Sequence, residues 1–544
     1  MKLKSWPITA KEALLFLGFF LFSSLLMFKT FRLSPEGNMQ IATKAWSDFA
    51  ATIPLIRSFS YGSNFPPEYP IFSGYPIRYH FVFYLLVGFI EKLGFPINWA
   101  LNLPSIFGFT LLLIIIYLLG KHIFKSKAVG ILSSVFFLFN GSLSFLEFFK
   151  THPFSADTFS EILHNKTFPS FGPYDGKIVS AFWNLNIFTN QRHLALAYAS
   201  FLLVLFVIFR FSQRPKTFSP VKALLLGIFV GIFPFIHLAV FAMLGILLLS
   251  SFFLYEKIRL KIFLAGTISL LLAIPQVLYM GASQIETKTV SPGYLIGELT
   301  LNSFIKYWFY NLGLLVILAP VGFILSNKSQ RKVLLPFLVL FIIGNIFQLS
   351  PEIAANHKFF NLFAIGLILF VSFSLVKLWR LNLFGKFLFP ILIFFTVLSG
   401  IIDFFPIIND SYVTLEDIPN NKAALFIKQA TPKNSVFLNS SFLYHPASIA
   451  GRKILMGWPY FPWSAGYNTD IRGKLMTRIY ESKSKAEICG LLVQNNVDYF
   501  TIQDTSSDRD FPEIDLDFFN NNFTSDYSDP KMAIINVYRN CLSQ

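Results

Sequence analysis

One carboxylate, Asp48, lies in a polar stretch that follows the first apolar segment of the chain. The stretch spans residues 44–80 and reads KAWSDFAATIPLIRSFSYGSNFPPEYPIFSGYPIRYH before apolar sequence resumes. An ionisable side chain where a membrane segment meets water is a functional candidate. A carboxylate there can act as a general base towards a hydroxyl group. Asp48 is equally suited to cap a helix over residues 49–59.

Cationic side chains stand at the starts of three apolar segments. An arginine can hold a phosphate through two parallel hydrogen bonds, and a helix N-terminus also favours phosphate. A basic residue at a membrane boundary can also extend towards water without binding a ligand. The candidate phosphate-binding residues are Arg78, His80, Arg192, His193, His357 and Lys358.

Other polar and aromatic residues are candidates for contact with an acceptor or a metal ion. Glu68 closes a rigid Pro-Pro-Glu, whereas Trp458 and Trp463 can stack on sugar rings or instead form core or bilayer contacts. Asp157 and Glu161 are four residues apart in a long polar loop, so they can ligate a divalent cation. In a hydrated loop these carboxylates can equally be solvated.

The composition indicates a polytopic membrane protein, since 54% of the 544 residues are hydrophobic and only 14% are charged. The 45 lysines and arginines give a net charge of +16, but they cluster in short loops between apolar runs, as topology signals do. That distribution argues against a nucleic-acid surface. The sequence contains no GxSxG, HExxH, Walker or CxxC motif, which argues against a nucleotide-binding enzyme and an ATP-driven pump.

Ten apolar runs in the sequence approach the roughly 20 residues that a helix needs to cross the hydrocarbon core. The first run has a basic start and no small-residue cleavage site after it, which predicts a retained anchor. The run 221–255 is too long for one helix and contains Pro234, so we expect a hairpin there and about eleven transmembrane helices in all. The runs are 12–28, 97–120, 128–147, 193–211, 221–255, 262–280, 304–326, 333–349, 357–379 and 387–405.

The basic clusters also predict the orientation of the loops, because short basic loops stay in the cytoplasm. They put the loops 29–79 and 148–192, and everything after Asp403, on the outer face. Between the first of these loops and the basic cluster at Lys121 the chain must cross an odd number of times. The stretches 80–93 and 97–120 resemble two segments, so either the first is a partial or interfacial segment or one basic cluster breaks the rule.

After Pro406 the apolar runs shorten to strand length, and charged residues separate them. This change predicts an all-α membrane domain over 1–406 and a C-terminal extracytoplasmic α/β domain over 407–544. Cys489 and Cys541 lie in the second domain and either form one disulfide or remain two thiols. The expected helices are Asn420–Ala430 with an asparagine cap, Ile471–Glu481 and Ala486–Asn495, and the expected strands are Val436–Asn439, Ile454–Met456, Val497–Gln503 and Met532–Tyr538.

The order of these motifs resembles the GT-C-fold polytopic membrane glycosyltransferases, which include the protein O-mannosyltransferases and the lipid A aminoarabinose transferase. More closely, it resembles uncharacterised bacterial multi-pass members whose first loop carries an Asp, then I-R-S-F, G-x-N-F-P-P-E and Y-H. NQRH and HKFFNL follow at later helix starts. The first-loop elements here are Asp48, Ile56–Phe59, Gly62–Glu68, and Tyr79 with His80. Where the family pattern has His four residues after the Asp, this chain has Thr52.

The resemblance implies inverting transfer of a sugar from a polyprenyl-phosphate carrier to a glycan, lipid or protein acceptor. The reaction would take place at the outer face of a bacterial inner or plasma membrane. Asp48 would be the catalytic base, and Arg192, His193 and Lys358 would lie near the donor phosphate. The cofactor stays open, with a divalent cation as one alternative. Two rival interpretations are a flippase for lipid-linked saccharides and a non-catalytic cell-envelope assembly protein.

Overall fold

The computed structural model describes residues 8–542 and is mainly helical. Long apolar stretches form long helices because a helix satisfies its backbone hydrogen bonds internally, as the interior of a bilayer requires. In chain order the helices are α1 (Ala10–Thr30), α2 (Trp46–Ser60), α3 (Val82–Lys92), α4 (Ile97–Ile123), α5 (Lys127–Leu138), α6 (Phe145–Thr151), α7 (Thr158–Leu163), α8 (Asn186–Asn190), α9 (Leu194–Gln213), α10 (Pro220–Gly231), α11 (Phe233–Leu254), α12 (Arg259–Met280), α13 (Leu301–Leu312), α14 (Leu315–Leu325), α15 (Lys328–Ile346), α16 (His357–Trp379), α17 (Leu383–Ile408), α18 (Lys422–Ala430), α19 (Pro446–Ile449), α20 (Tyr460–Ser464), α21 (Thr469–Glu481), α22 (Lys485–Gln494), α23 (Leu516–Asn522) and α24 (Val537–Cys541).

Within residues 8–542, eight short strands form two sheets. The smaller sheet is antiparallel with the order β1-β2-β3, and the larger has the order β5-β4-β6-β8-β7. In the larger sheet β4 is parallel to β5 and β6, whereas β8 is antiparallel to β6 and β7. The strands are β1 (Phe31–Leu33), β2 (Met39–Ala42), β3 (Tyr412–Leu415), β4 (Val436–Leu438), β5 (Lys453–Ile454), β6 (Tyr499–Ile502), β7 (Ser525–Ser528) and β8 (Ala533–Asn536).

Eight helices within residues 8–542 are long and apolar enough to cross a membrane, namely α1, α4, α9, α11, α12, α15, α16 and α17. A ninth span results if α13 and α14, which are bent by 85° at their junction, are one broken span. The count is lower than the eleven that the apolar runs suggested. The run 128–147 yields the 12-residue helix α5 and then an irregular loop. The stretch 80–93 yields α3, whose 11 residues are too few to cross, as expected of a partial or interfacial segment.

The long run 221–255 is interrupted, as its length predicts, but it does not give two full spans. Only α11 is long enough to cross, because α10 has 12 residues. Within α11 the backbone of His237 leaves helical geometry, with φ −168° and ψ 98°. The expected hairpin is therefore replaced by one span with an irregular residue near its start and a short helix before it.

The chain divides into two compact units, each built from separate segments. Unit 1 comprises the residues up to Thr30 together with 102–274 and 288–411. Unit 2 comprises 31–101, 275–287 and the residues from Tyr412 onward. The first polar loop, which carries Asp48, therefore belongs to the same unit as the C-terminal sheet.

In unit 1 the helix α16 is the most buried of the candidate spans, since 89% of its most apolar stretch is buried inside the protein. It packs against α5, α14 and α15. Its contact with α14 is close enough that a Cβ on Gly322 would lie 2.1 Å from the carbonyl oxygen of Phe370. The core of unit 1 is thus a helix bundle around α16, where small residues allow backbones to approach.

Unit 2 joins the first polar loop to the C-terminal region through the smaller sheet, in which β2 pairs with β3 from Met39 opposite Leu415 to Ala42 opposite Tyr412. The helices and strands predicted after residue 406 are present within two residues at each end, including α18 with Asn421 as its cap. Cys489 and Cys541 form a disulfide with their Cα atoms 5.3 Å apart. The disulfide alternative is therefore the one observed.

A buried histidine supports the larger sheet of unit 2. The Nδ1 atom of His445 accepts a hydrogen bond from the backbone N–H of Ala447 at 3.2 Å. Its Nε2 atom therefore carries the proton and donates to Thr501 Oγ1 at 2.9 Å. Burial of the ring lowers the pKa of His445 to about 3, because the charged imidazolium is poorly solvated there.

We expect this histidine to make folding sensitive to acid. Unfolded His445 binds a proton near pH 6.5, whereas folded His445 does so only near pH 3. Its contribution to stability is complete above pH 6.5 and falls by about 1.4 kcal/mol for each pH unit below it. The measurement is thermal unfolding of the full-length protein at a series of pH values. Between about pH 3 and pH 6.5 the free energy of unfolding should depend less steeply on pH in His445→Gln, by the slope that corresponds to uptake of about one proton. Equal pH dependence in the two proteins would contradict the assignment.

Candidate functional site

Asp48 lies in the first turn of α2, which begins at Trp46 rather than at Phe49. It is therefore not the cap of this helix, and the residue at the cap position, Ala45, makes no side-chain capping bond. A carboxylate in the first turn is favoured by the helix dipole. The Asp48 side chain is half-buried, so it combines partial exposure to solvent with a fixed position on a helix.

Two tyrosines lie within electrostatic range of the Asp48 carboxylate. Burial, together with the Asp48 charge, raises the pKa values of Tyr79 and Tyr444 well above the usual range. Both phenols therefore stay protonated. Tyr444 also donates its hydroxyl to the carbonyl of Trp46, and the two rings lie 4.1 Å apart. Tyr444 has a φ of +52°, which is uncommon for a residue with a side chain.

A buried ion cluster fixes the helix that carries Asp48. Arg57 of α2 pairs with Glu91 of α3, Nε to Oε1 at 3.1 Å, and with Asp417, Nη2 to Oδ2 at 2.6 Å. The Ser60 hydroxyl donates to the other oxygen of Glu91. All three charged residues are less than 9% exposed. The position of α2 thus depends on two segments of unit 2 that are distant in sequence.

Arg78 is a half-buried cation with one side already bound. Its Nη1 atom donates to the Gly466 carbonyl at 2.7 Å, and its guanidinium lies 4.7 Å from the centre of the Tyr467 ring. The Tyr467 hydroxyl accepts from the Arg78 backbone N–H and donates to the Pro76 carbonyl. Among residues 8–542 the buried Nε atom of Arg78 has no hydrogen-bond partner. The Arg78 guanidinium is therefore held in a fixed position, and its Nε–H can still donate a hydrogen bond.

The remaining predicted residues of unit 2 differ in what they contact. His80 is buried, with its ring 3.6 Å from that of Tyr79. Glu68 accepts from Lys453 Nζ at 2.8 Å and from the Gly74 backbone N–H at 3.1 Å, so it holds the loop together. Trp458 and Trp463 are both half-buried, and Trp463 lies 6.0 Å from the exposed ring of Tyr460. These aromatic rings leave surface available to a ligand.

The predicted cations of unit 1 meet near the starts of α9 and α16. Arg192 is buried and donates to the Met27 carbonyl and to Asn102 Oδ1, each at 3.2 Å. His193 precedes α9 and is also buried. His357 begins α16 and contacts Asn361 Oδ1 through Nδ1 at 3.0 Å. Lys358, the next residue, is half-buried and within electrostatic range of both histidines.

The candidate metal ligands of unit 1 lie at the start of α7 and within it. Asp157 is exposed and precedes α7, whereas Glu161 lies half-buried within it. Within the described part of the chain, neither carboxylate belongs to a group of three side chains with ligand atoms close enough to share a metal ion.

Two residues near these side chains were not singled out from the sequence. The ring of His237 lies 5.2 Å from that of His193, and its signal was a histidine inside an apolar run, which is costly unless it has a function. The sequence around Tyr444 gives no such indication, because its contact with Trp46 joins positions that are far apart in the chain.

No family model and no curated protein sequence matches the chain, but several solved structures do. A mutant of the mycobacterial arabinofuranosyltransferase AftD has a TM-score of 0.55 and 12% identity, covering 96% of this chain. This chain spans only 41% of AftD.

Two structures of the oligosaccharyltransferase AglB from Archaeoglobus fulgidus are also similar, each with a TM-score of 0.46 and 12% identity. The one with an inhibitory peptide and a dolichol-phosphate covers 92% of this chain and 70% of AglB. The one with zinc and sulfate covers 90% and 68%. From the likeness to AftD, this chain has the GT-C fold of polytopic membrane glycosyltransferases.

Proposed function

We propose that the protein transfers a sugar from a polyprenyl-phosphate donor to an acceptor at the outer face of a membrane. The observation that carries this proposal is the position of Asp48, a half-buried carboxylate in the first turn of α2. It is a charged group on a rigid helix beside two protonated phenols. The GT-C fold supports the class of reaction, because AftD, which shares it, is named as a glycosyltransferase.

In the proposed reaction Asp48 accepts the proton of an acceptor hydroxyl as that oxygen attacks the anomeric carbon of the sugar. The bond from the anomeric carbon to the carrier phosphate oxygen breaks at the same time, so polyprenyl phosphate leaves and the anomeric centre inverts. A positioned general base typically accelerates such a step by about 10²–10⁴-fold. The protonated Tyr79 and Tyr444 lie within electrostatic range of the carboxylate.

Binding of the donor phosphate is assigned to the cationic residues. In unit 2, Arg78 offers a rigid guanidinium with an unsatisfied Nε donor, and His80 lies two residues away. In unit 1 the corresponding proposals are Arg192, His193, His357 and Lys358. Charge-assisted hydrogen bonds of this kind are stronger than neutral ones, and they stabilise the phosphate as its negative charge increases during bond breaking.

Acceptor binding is assigned to Trp458 and Trp463, whose half-buried rings can stack on a sugar. A contact from Glu68 to the acceptor would have to compete with its bond to Lys453. A divalent cation remains an open cofactor, with Asp157 and Glu161 as the carboxylates proposed from the sequence. No step of the proposed reaction uses a metal ion.

Purified protein in nanodiscs, supplied with a panel of polyprenyl-phosphate sugars and acceptors, tests this function. We expect a labelled product that depends on the carrier. Addition of a chelator in a parallel reaction measures any need for a divalent cation. Binding of the carrier without product from any pairing would contradict the transferase and favour a flippase.

The proposed orientation puts the C-terminal region outside a bacterial plasma membrane. The Cys489–Cys541 disulfide supports it, since disulfides persist in oxidising compartments. We expect a membrane-impermeant maleimide to label both cysteines in intact cells only after treatment with a reductant that does not cross the membrane. Labelling that requires cell lysis would contradict this orientation.

A further inference from the structure

Several stretches of irregular backbone lie close together inside the helix bundle of unit 1. The loop between α5 and α6, the break between α13 and α14, and the C-terminal part of α17 meet there. Gly313, at the break, has a φ of +53°, and a Cβ on it would lie 1.7 Å from the Gly141 carbonyl oxygen. A Cβ on Gly400 of α17 would lie 2.4 Å from Phe139 Cα. Irregular backbone inside a membrane bundle often lines a polar site.

Asp403 of α17 projects into this irregular region. Its side chain is 5% exposed, and it forms no ion pair within residues 8–542. Its Oδ2 atom accepts long hydrogen bonds from Ser144 Oγ at 3.3 Å and from Asn184 Nδ2 at 3.5 Å. Its Oδ1 atom is buried and has no hydrogen-bond partner in the described chain. A carboxylate within an apolar span is costly without a compensating charge.

Two oxygen–oxygen distances around Asp403 match those between neighbouring ligands of one cation. Ser144 Oγ lies 3.3 Å from Asp403 Oδ2 and 3.5 Å from Ser142 Oγ. Hydrogen bonds between hydroxyl and carboxylate oxygens are usually shorter, about 2.5–3.0 Å. Two oxygen ligands that bind a small hard cation at roughly 2.4 Å and at a right angle are about 3.4 Å apart. The observed spacing agrees with shared coordination.

The charge balance selects a monovalent cation. One carboxylate and two hydroxyls carry a single negative charge, so a monovalent ion leaves the buried site neutral, whereas a divalent ion leaves an excess charge in apolar surroundings. Asn184, which donates to Asp403, also lines a cavity of about 40 Å³ with Asn140, Asn311 and Asn361. That volume has room for a water molecule, which can complete a coordination shell.

We propose that Asp403, Ser142 and Ser144 bind a monovalent cation of about the size of sodium inside unit 1. The bound ion links the α5–α6 loop to α17 and thereby stabilises the irregular region. This site is independent of the proposed transferase reaction, since none of its ligands is assigned to that reaction.

The test is the response of the purified full-length protein to sodium. Thermal unfolding in nanodiscs is measured while sodium chloride replaces choline chloride at constant pH and ionic strength, and bound radioactive sodium is counted. We expect the midpoint of unfolding to rise with sodium and to saturate. Asp403→Asn should abolish both the rise and the binding, whereas Asp175→Asn, which changes an exposed carboxylate of the same unit, should retain both.

A second variant keeps the proposal testable if Asp403→Asn does not fold. Ser144→Ala removes one ligand and should require about tenfold more sodium for the same response. Three results would overturn the site: a wild-type protein that is indifferent to sodium, an unchanged sodium response in Asp403→Asn, or an unchanged requirement in Ser144→Ala. A midpoint that depends on pH but not on sodium would show that a proton, rather than a cation, neutralises Asp403.

Discussion

Asp48→Asn should reduce carrier-dependent sugar transfer by at least about 100-fold, because the amide cannot accept the proton of the acceptor hydroxyl. The substitution preserves the size of the side chain and its place in the first turn of α2. We therefore expect the protein to fold and to bind the lipid carrier normally. Transfer of labelled sugar and carrier binding, measured on the same nanodisc preparation, separate loss of chemistry from loss of binding.

The matched control for this experiment is Asp470→Asn, which removes an exposed carboxylate from the first turn of α21 in the same unit. It should transfer sugar at the wild-type rate. If Asp48→Asn retained activity comparable with that of Asp470→Asn, Asp48 would not be the base. Loss of carrier binding in Asp48→Asn would instead assign the carboxylate to the binding step.

Arg57→Leu should destabilise the protein by about 3–5 kcal/mol, because it leaves two buried carboxylates without their shared cation. Glu91 and Asp417 are 6% exposed in the folded protein, and each makes its ion pair with Arg57. Chemical unfolding of the full-length protein in detergent, followed by intrinsic fluorescence, measures the change. The loss should be accompanied by lower transfer activity, since α2 also carries Asp48.

An exposed ion pair of unit 2 provides the comparison. Arg539 pairs with Asp526 at 2.7 Å, but its side chain is 64% exposed, so Arg539→Leu should cost no more than about 1 kcal/mol. Combining Arg57→Leu with Glu91→Gln and Asp417→Asn should recover part of the lost stability, because no buried charge remains. Equal destabilisation by Arg57→Leu and Arg539→Leu would show that burial of the Arg57 cluster does not increase its contribution to stability.

The sequence predicted the membrane class and most helices because long apolar runs allow few other structures. It failed where a run was interrupted by tertiary contacts. The run 304–326 reads as one span, yet it forms α13 and α14 with a bend of 85°. The bend is located at Gly313, whose close approach to Gly141 joins positions distant in sequence. Hydropathy averages over such a residue and cannot detect the contact.

Some residues of the candidate site could be predicted from the sequence, but the residues that contact them could not. Asp48 and Arg78 were identified because both are ionisable residues beside apolar sequence, which is a local property. Their partners were not, because Tyr444 and Tyr467 come from the C-terminal region and contact the first loop only after folding. The ion pair of Arg57 with Asp417 could not be predicted either, because the two residues are far apart in the sequence and meet only after folding.

The pairing of β2 with β3 has a consequence for how the protein is made. Met39 and Leu415 lie opposite each other in the sheet, although more than 370 residues separate them in the chain. At about 5–20 residues per second, the ribosome needs roughly 20–75 s to synthesise the intervening sequence. During that interval the segment with Asp48 is exposed without its sheet partner, and contacts this distant in sequence form slowly. The conformation that holds the segment with Asp48 against its sheet partner can therefore form only after Leu415 has been synthesised.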